Sequence, residues 1–146
     1  MSAALYNSTI LRLATSIPHH ERLAAPHATA ERRSPICGSR VTVDVALGPD
    51  GRVAALGQEV RACALGQASA ALMAQHAIGR SPQELAAARD ALTAFLAGAR
   101  DDPGDWPGLE IFGPARPHHA RHPSIRLAFE AVAEAAERAL HPADPA

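Results

Sequence analysis

The sequence predicts an α+β domain, with a leading helix, a small antiparallel hairpin and then a run of helices. Three observations carry this. Apolar residues recur at helical spacing near the start and over the last third of the chain. They alternate through Val41, Val43, Val45 and Leu47. Turn and capping residues separate these segments in the order helix, strands, helices.

Tyr6, Ile10, Leu13 and Ile17 place an amphipathic helix over 4–17, stopped by Pro18. "PHHERLAAPHA" is polar and bracketed by prolines, and reads as a loop; "ATAERRS" reads as a short edge strand. The valine alternation, interleaved with Thr42, Asp44 and Ala46, predicts a half-buried strand. "GPDG" at 48–51 turns the chain, and "RVAALGQEV" returns as the second strand of a hairpin. Cys63 then opens "CALGQASAALMAQHAIG", whose small residues suit a closely packed helix ending at Gly79. Ser81-Pro82-Gln83-Glu84 is a capping box with proline at the first helical position. That helix runs to about Ala97, with Leu85, Leu92, Phe95 and Leu96 on one side and Gly98 as its stop. "ARDDPGDWPG" reads as an acidic connector rich in turns. A final helix from near Ser124 is expected to bury Ile125, Phe129, Val132, Ala136 and Leu140. Its wet side carries the pairs Arg126–Glu130 and Glu134–Arg138. With no internal repeat, 1–146 reads as one domain with an ordered core of about 4–140.

The chain is 47% hydrophobic but only 3% aromatic, so its core relies on close packing of small side chains. A net charge of -1 gives no electrostatic reason to expect nucleic acid or an anionic membrane as partner. All 14 basic residues are arginines, which excludes Schiff-base and P-loop lysine chemistry. The first twenty residues lack a basic n-region, and no stretch approaches the roughly 18 apolar residues that span a bilayer. The expectation is a soluble cytoplasmic protein whose two cysteines are free or metal-bound rather than paired.

Those cysteines are the first candidate site residues. Cys37 lies in the turn "SPICGS" ahead of the valine strand, and Cys63 lies where the return strand gives way to a helix. A thiol at a helix N-terminus meets unpaired backbone N–H groups, a setting that favours thiolate. If the hairpin brings its ends together, the two thiols converge at one rim. The competing reading makes both cysteines small buried hydrophobes. Among the eight histidines, His118, His119 and His122 cluster before the last helix. His118 and His119 read as a solvated loop, whereas His122 precedes the expected helix start and can face the same rim. His76, His19 and His20 read as surface and loop residues.

"SPICGSRVTVDVAL", "GQEVRACALGQASAALM" and "RHPSIRLAFEAV" resemble, in order, three landmarks of the iron–sulfur scaffold family of IscU, SufU and the NifU N-terminal domain. In that family a cysteine sits in a P-x-C-G-D turn, a second opens a G-C-x-x-x-x-A-S-x-S helix, and a third begins the last long helix. The resemblance spans nearly the whole chain. It implies an IscU-like fold with an antiparallel sheet packed against helices. It also implies cysteines converging at one end to hold a nascent [2Fe–2S] cluster or, in SufU-like members, zinc. On this resemblance Cys37 and Cys63 match the first two cysteines, and His122 matches the histidine preceding the third. Ser39 stands where the family has aspartate, and Pro123 or Ser124 where it has the third cysteine. The family's lysine-containing L-P-P-V-K loop has no equivalent; "FGPARPHH" stands near its place.

The resemblance implies an iron–sulfur assembly scaffold or sulfur acceptor with a reduced ligand set of Cys37, Cys63 and His122. It would work by exchange at a labile site rather than by turnover. Its partners would be a cysteine desulfurase and recipient apo-proteins. A cluster or structural zinc wants four ligands, so water, a partner or a second subunit of a homodimer would supply the fourth. Two rival readings stay open: a metal-free interaction protein that keeps the fold, and a zinc-dependent sulfurtransferase stimulating a desulfurase. Ser39 and Ser124 read as caps rather than weak ligands.

Overall fold

A computed structural model describes residues 5–36 and 38–141. The chain forms helix α1 (Ser8–Ala14), strands β1 (Ala28–Arg33), β2 (Arg40–Leu47) and β3 (Val53–Arg61), and helices α2 (Ala64–His76), α3 (Pro82–Leu96) and α4 (His122–Leu140). Short 3₁₀ helices occupy Leu109–Ala115 and His119–Arg121. The strands make one antiparallel sheet in the order β1-β2-β3. Helix α4 lies against β1 and β2 and also touches α2 and α3, while α1 packs on α2. This is the α+β architecture expected.

The core follows from the valine alternation. Val41, Val43 and Val45 are fully buried in one cluster with Ile125, Phe129 and Val132 of α4. Helix α4 begins at His122, two residues before the expected Ser124, because Pro123 suits the first helical turn. Leu140, expected in the core, is exposed at the helix end. At the outer edge of the sheet, Arg138 Nη1 donates to the Thr29 carbonyl of β1 at 2.8 Å, and Arg32 pairs with Glu134 at 3.2 Å. The Arg126–Glu130 and Glu134–Arg138 pairs form as expected on the wet side.

Helix α1 is shorter than its apolar spacing suggested. Asn7 caps it by accepting from the Ile10 N–H at 3.0 Å, and Thr15 and Ser16 bond back to the Arg12 carbonyl at its end. Side-chain hydroxyls that bond back to the preceding turn compete with helix continuation. Residue 4, the expected start, lies outside the described residues.

The half-buried reading of β2 is corrected. Thr42 and Asp44 are buried as well: Thr42 Oγ1 donates to Glu31 at 3.1 Å, and 18–27 forms a strap that lies over Asp44 and Gly57. The Gln58 N–H donates to the carbonyls of His19 and Glu21, each at 3.0 Å. The Asp44 carboxylate accepts from Arg22 Nε at 2.7 Å and Nη2 at 3.0 Å, from the Leu23 N–H at 3.0 Å and from Thr29 Oγ1 at 2.5 Å. Gly57 makes this approach possible. A Cβ there would lie 2.5 Å from the Glu21 carbonyl oxygen and 2.8 Å from the Leu23 nitrogen. Gly57→Ala is therefore expected to destabilise the protein by about 2 kcal/mol, read as a lower urea midpoint. A midpoint equal to that of the wild type would show that the strap is not tightly seated.

Helix α3 has the capping box read from its sequence. Ser81 Oγ accepts from the Glu84 N–H at 3.1 Å, and Glu84 Oε1 accepts from the Ser81 N–H at 2.9 Å. The acidic connector turns the chain as read, but it also buries Trp106, whose Nε1 donates to the Leu72 carbonyl at 2.9 Å. Beyond it, Leu109, Phe112 and Ala115 of the 3₁₀ helix are buried too.

Candidate thiol and metal site

Register places the candidate segments at one end of the sheet. Arg40, the first residue of β2, pairs with Arg33 on one side and Arg61 on the other. The 34–39 loop and the β3-to-α2 junction at 62–63 therefore leave the sheet side by side. The loop is closed by its own backbone. The Ser34 N–H donates to the Ser39 carbonyl at 2.8 Å, and the Gly38 N–H donates to the Ser34 carbonyl at 3.1 Å. Gly38 has φ +73°, a left-handed conformation that glycine adopts without strain. Ile36 stands out at 69% exposed, whereas Ser34 and Ser39 are buried. Cys37 itself lies outside the described residues.

Cys63 is the N-cap of α2, half-buried, with an extended backbone and no side-chain capping bond. Its carbonyl accepts from the Gln67 N–H at 2.9 Å, closing the first turn. The expected strand-to-helix placement of this thiol is thus observed. Close packing brings α4 to the same end. A Cβ on Gly66 would lie 3.2 Å from the Ser124 carbonyl oxygen, and Ser69 Oγ donates to the Ile125 carbonyl at 2.6 Å. From the other side, the hydroxyls of Ser39 and Ser124 lie 3.4 Å apart, both buried. Neither serine is a helix cap. Ser124 lies inside the first turn of α4, whose N-cap is Arg121, and Ser39 precedes a strand.

His122 is the first residue of α4 and is buried. Its Nε2 lies 2.9 Å from the Ala115 carbonyl oxygen. A carbonyl only accepts, so Nε2 is the donor, and the neutral form of this ring has its lone pair on Nδ1. Any metal on this ring would bind Nδ1. The His119 ring lies beside it with centroids 5.2 Å apart, and His118 and His119 are exposed as expected of a loop.

Among the described residues, no three His, Cys, Asp or Glu side chains gather to hold a metal. The hydroxyls of Ser39 and Ser124 are hard, neutral donors, unsuited to zinc or iron–sulfur chemistry beside thiolates. By donor chemistry Cys63 is soft and His122 borderline, the types that such metals prefer.

The chain superposes on a nitrogen-fixing NifU-like protein (N-terminal) from Brucella abortus with a TM-score of 0.90. The two are 39% identical over 97% of this chain and 99% of that one. The chain belongs to the NifU-like family. Two further solved structures share the fold at lower identity. One is described as a "putative iron-sulfur cluster assembly scaffold protein for SUF system", from the thermophile Fervidobacterium islandicum AW-1. It is 20% identical with a TM-score of 0.84 over 93% of this chain and 99% of that one. The other, described as a hypothetical protein, is 22% identical with a TM-score of 0.81 over the same shares. No protein-family model matches the chain, and no curated protein does.

In this NifU-like chain the sequence reading missed two features of the site. The carbonyl that fixes the His122 ring comes from the end of a 3₁₀ helix inside a stretch that has no helical periodicity. The serine pairing joins residues far apart in the chain, for which local spacing carries no signal. Gly66 and Ser69 did carry one. Small residues three apart on an alanine-rich helix mark the face where another backbone comes close.

Proposed function

We propose that this NifU-like protein is an iron–sulfur assembly scaffold or sulfur acceptor, acting through Cys37, Cys63 and Nδ1 of His122. The observation that supports it is convergence: the ends of the 34–39 loop, the Cys63 cap and the first turn of α4 meet at one end of the sheet. A cysteine desulfurase would donate sulfur at that end, and recipient apo-proteins would take the product. In the acceptor step a thiolate of this chain attacks the outer sulfur of the donor's persulfide. The new S–S bond forms as the donor's S–S bond breaks, and the donor leaves as a thiolate, so no oxidant is consumed. Iron, or the nascent [2Fe–2S] cluster, is cargo held by exchangeable ligands, with the fourth supplied by water, a partner or a second subunit.

A zinc-binding sulfurtransferase is the second reading, and the His122 ring supports it. Metal-bound histidines typically donate their other N–H to a carbonyl or carboxylate, as Nε2 does here to Ala115. Among the described residues no helix is long and apolar enough to cross a membrane.

Metal analysis of protein purified without chelator, then reconstituted anaerobically, tests both readings. The scaffold reading expects bound iron with sulfide, and the sulfurtransferase reading expects zinc. Protein that retains neither metal, and forms no persulfide on either cysteine when incubated with a desulfurase and cysteine, would overturn the proposal.

A further inference from the structure

We propose that the row Arg33, Arg40 and Arg61 is a docking surface for an acidic segment of a partner protein. Antiparallel register sets these three residues opposite one another on β1, β2 and β3. Residues directly opposite in a sheet point to the same side of it. That side is the one bearing Asp44 and Gly57, turned away from the valines that pack on α4. The strap covers it at Asp44 and Gly57, four residues along each strand from Arg40 and Arg61. The row itself lies beyond the strap. Arg33 and Arg61 keep 66% and 67% of their side-chain surface exposed.

Like charges opposite one another across strands repel, so this row costs the free fold stability. The chain's own relief is incomplete. Glu31 accepts from Arg33 Nε at 2.8 Å and lies 3.9 Å from Arg40 Nε, and Glu59 accepts from Arg61 Nη2 at 3.4 Å. Among the described residues two carboxylates thus serve three guanidiniums, which carry more N–H donors than these contacts use. Further positive charge lies at the same end of the sheet. Arg121, the N-cap of α4, is exposed, and 60–65 and 111–129 contain no Asp or Glu. This end is therefore basic in a chain of net charge -1. A guanidinium takes a carboxylate as a two-pronged fork. The row spans about 10 Å, at about 4.8 Å between strands, and same-side carboxylates of an extended segment lie about 7 Å apart. Two such carboxylates fit along it. Nucleic acid suits the surface less. Glu31 and Glu59 flank the row and repel a phosphate backbone, and the three strands carry no aromatic side chain on which a base could stack.

The test titrates a deca-glutamate peptide into the full chain, labelled with nitrogen-15, and follows its amide shifts. Saturable shifts are expected at Arg33, Arg40, Arg61 and their neighbours, with affinity falling as salt rises from about 50 to about 300 mM. The combined variant Arg33→Gln, Arg40→Gln, Arg61→Gln should bind about tenfold more weakly, at roughly twofold per exposed ion pair. A control that removes the same charge elsewhere, Arg52→Gln with Arg89→Gln and Arg100→Gln, should stay within about twofold of wild type. The row variant should also melt no lower than wild type, because it relieves repulsion. Absence of saturable binding, or equal weakening in both variants, would overturn the proposal. A row variant that melts several degrees lower would also overturn it, by assigning the row to the fold. Tighter binding of a single-stranded DNA of equal charge would give the surface to nucleic acid instead. A wild-type dimer in sedimentation that the row variant dissociates would give it to a second copy. None of these readouts involves metal or persulfide, so their failure and that of the proposed function are distinguishable.

Discussion

Cys63→Ser is expected to remove most bound metal and all persulfide at that position while leaving the fold at least as stable as before. The two halves of this expectation have different physical origins. A serine hydroxyl at neutral pH cannot replace a thiolate as a soft ligand or as a nucleophile toward a persulfide sulfur. Yet Cys63 is the N-cap of α2, with no side-chain capping bond of its own. Serine is among the preferred residues at that position, because its oxygen can accept from the N–H two or three residues on. The variant should therefore match or exceed wild-type stability by up to about 1 kcal/mol. Loss of function without loss of stability would separate chemistry from folding in one substitution. Unchanged metal and persulfide content in a folded variant would remove Cys63 from the site.

Asp44→Asn should cost stability and nothing at the thiol end. Asp44 has no exposed side-chain surface, and three groups donate to it: the Arg22 guanidinium, the Thr29 hydroxyl and the Leu23 N–H. Burial pushes its pKa up, but the hydrogen bonds from Arg22, Thr29 and Leu23 together outweigh burial and hold it below the ordinary carboxylate value. Arg22 is half exposed, so solvent screens its share of the ion pair. An amide keeps the shape but loses the charge and presents N–H groups to neighbours that are themselves donors. The expected loss is about 3 kcal/mol, on the order of 10 °C in Tm for a chain of this size.

The pH dependence has a definite sign. A carboxylate whose pKa is depressed by folding contributes stability above its unfolded value of about 4. That contribution is lost as pH falls through the folded value. The gap between wild type and Asp44→Asn should thus be full at neutral pH and close progressively below about pH 4. Thermal melts from pH 7 to pH 3 would show this. A gap that does not change with pH would mean that the charge on Asp44 contributes nothing.

Asp44 also shows where the sequence could be read and where it could not. Strand β2 was legible from its alternation, and α3 from its capping box, because both signals are local. Cys63 at the mouth of α2 was legible for the same reason, since a strand ends and small residues begin there. Asp44 occupies the polar phase of the alternation and reads as a solvent-facing residue. Only the strap buries it, and a strap without periodicity leaves no trace in hydrophobic patterning. His122 was singled out as a site residue, but its tautomer depends on the Ala115 carbonyl in the neighbouring 3₁₀ helix. Leu140 fitted the apolar stripe of α4, yet the helix outruns its neighbours there and leaves it exposed.

The guarded edge of β1 limits how this protein can assemble. An outermost strand offers unpaired backbone groups that invite a second chain to continue the sheet. Here Arg138 already occupies the Thr29 carbonyl, while Glu31, Arg32 and Arg33 line the strand with charge. Sheet continuation across β1 would have to displace that guanidinium and desolvate those charges. Association of copies through this edge is thereby disfavoured, whereas at the loop end Ile36 is exposed.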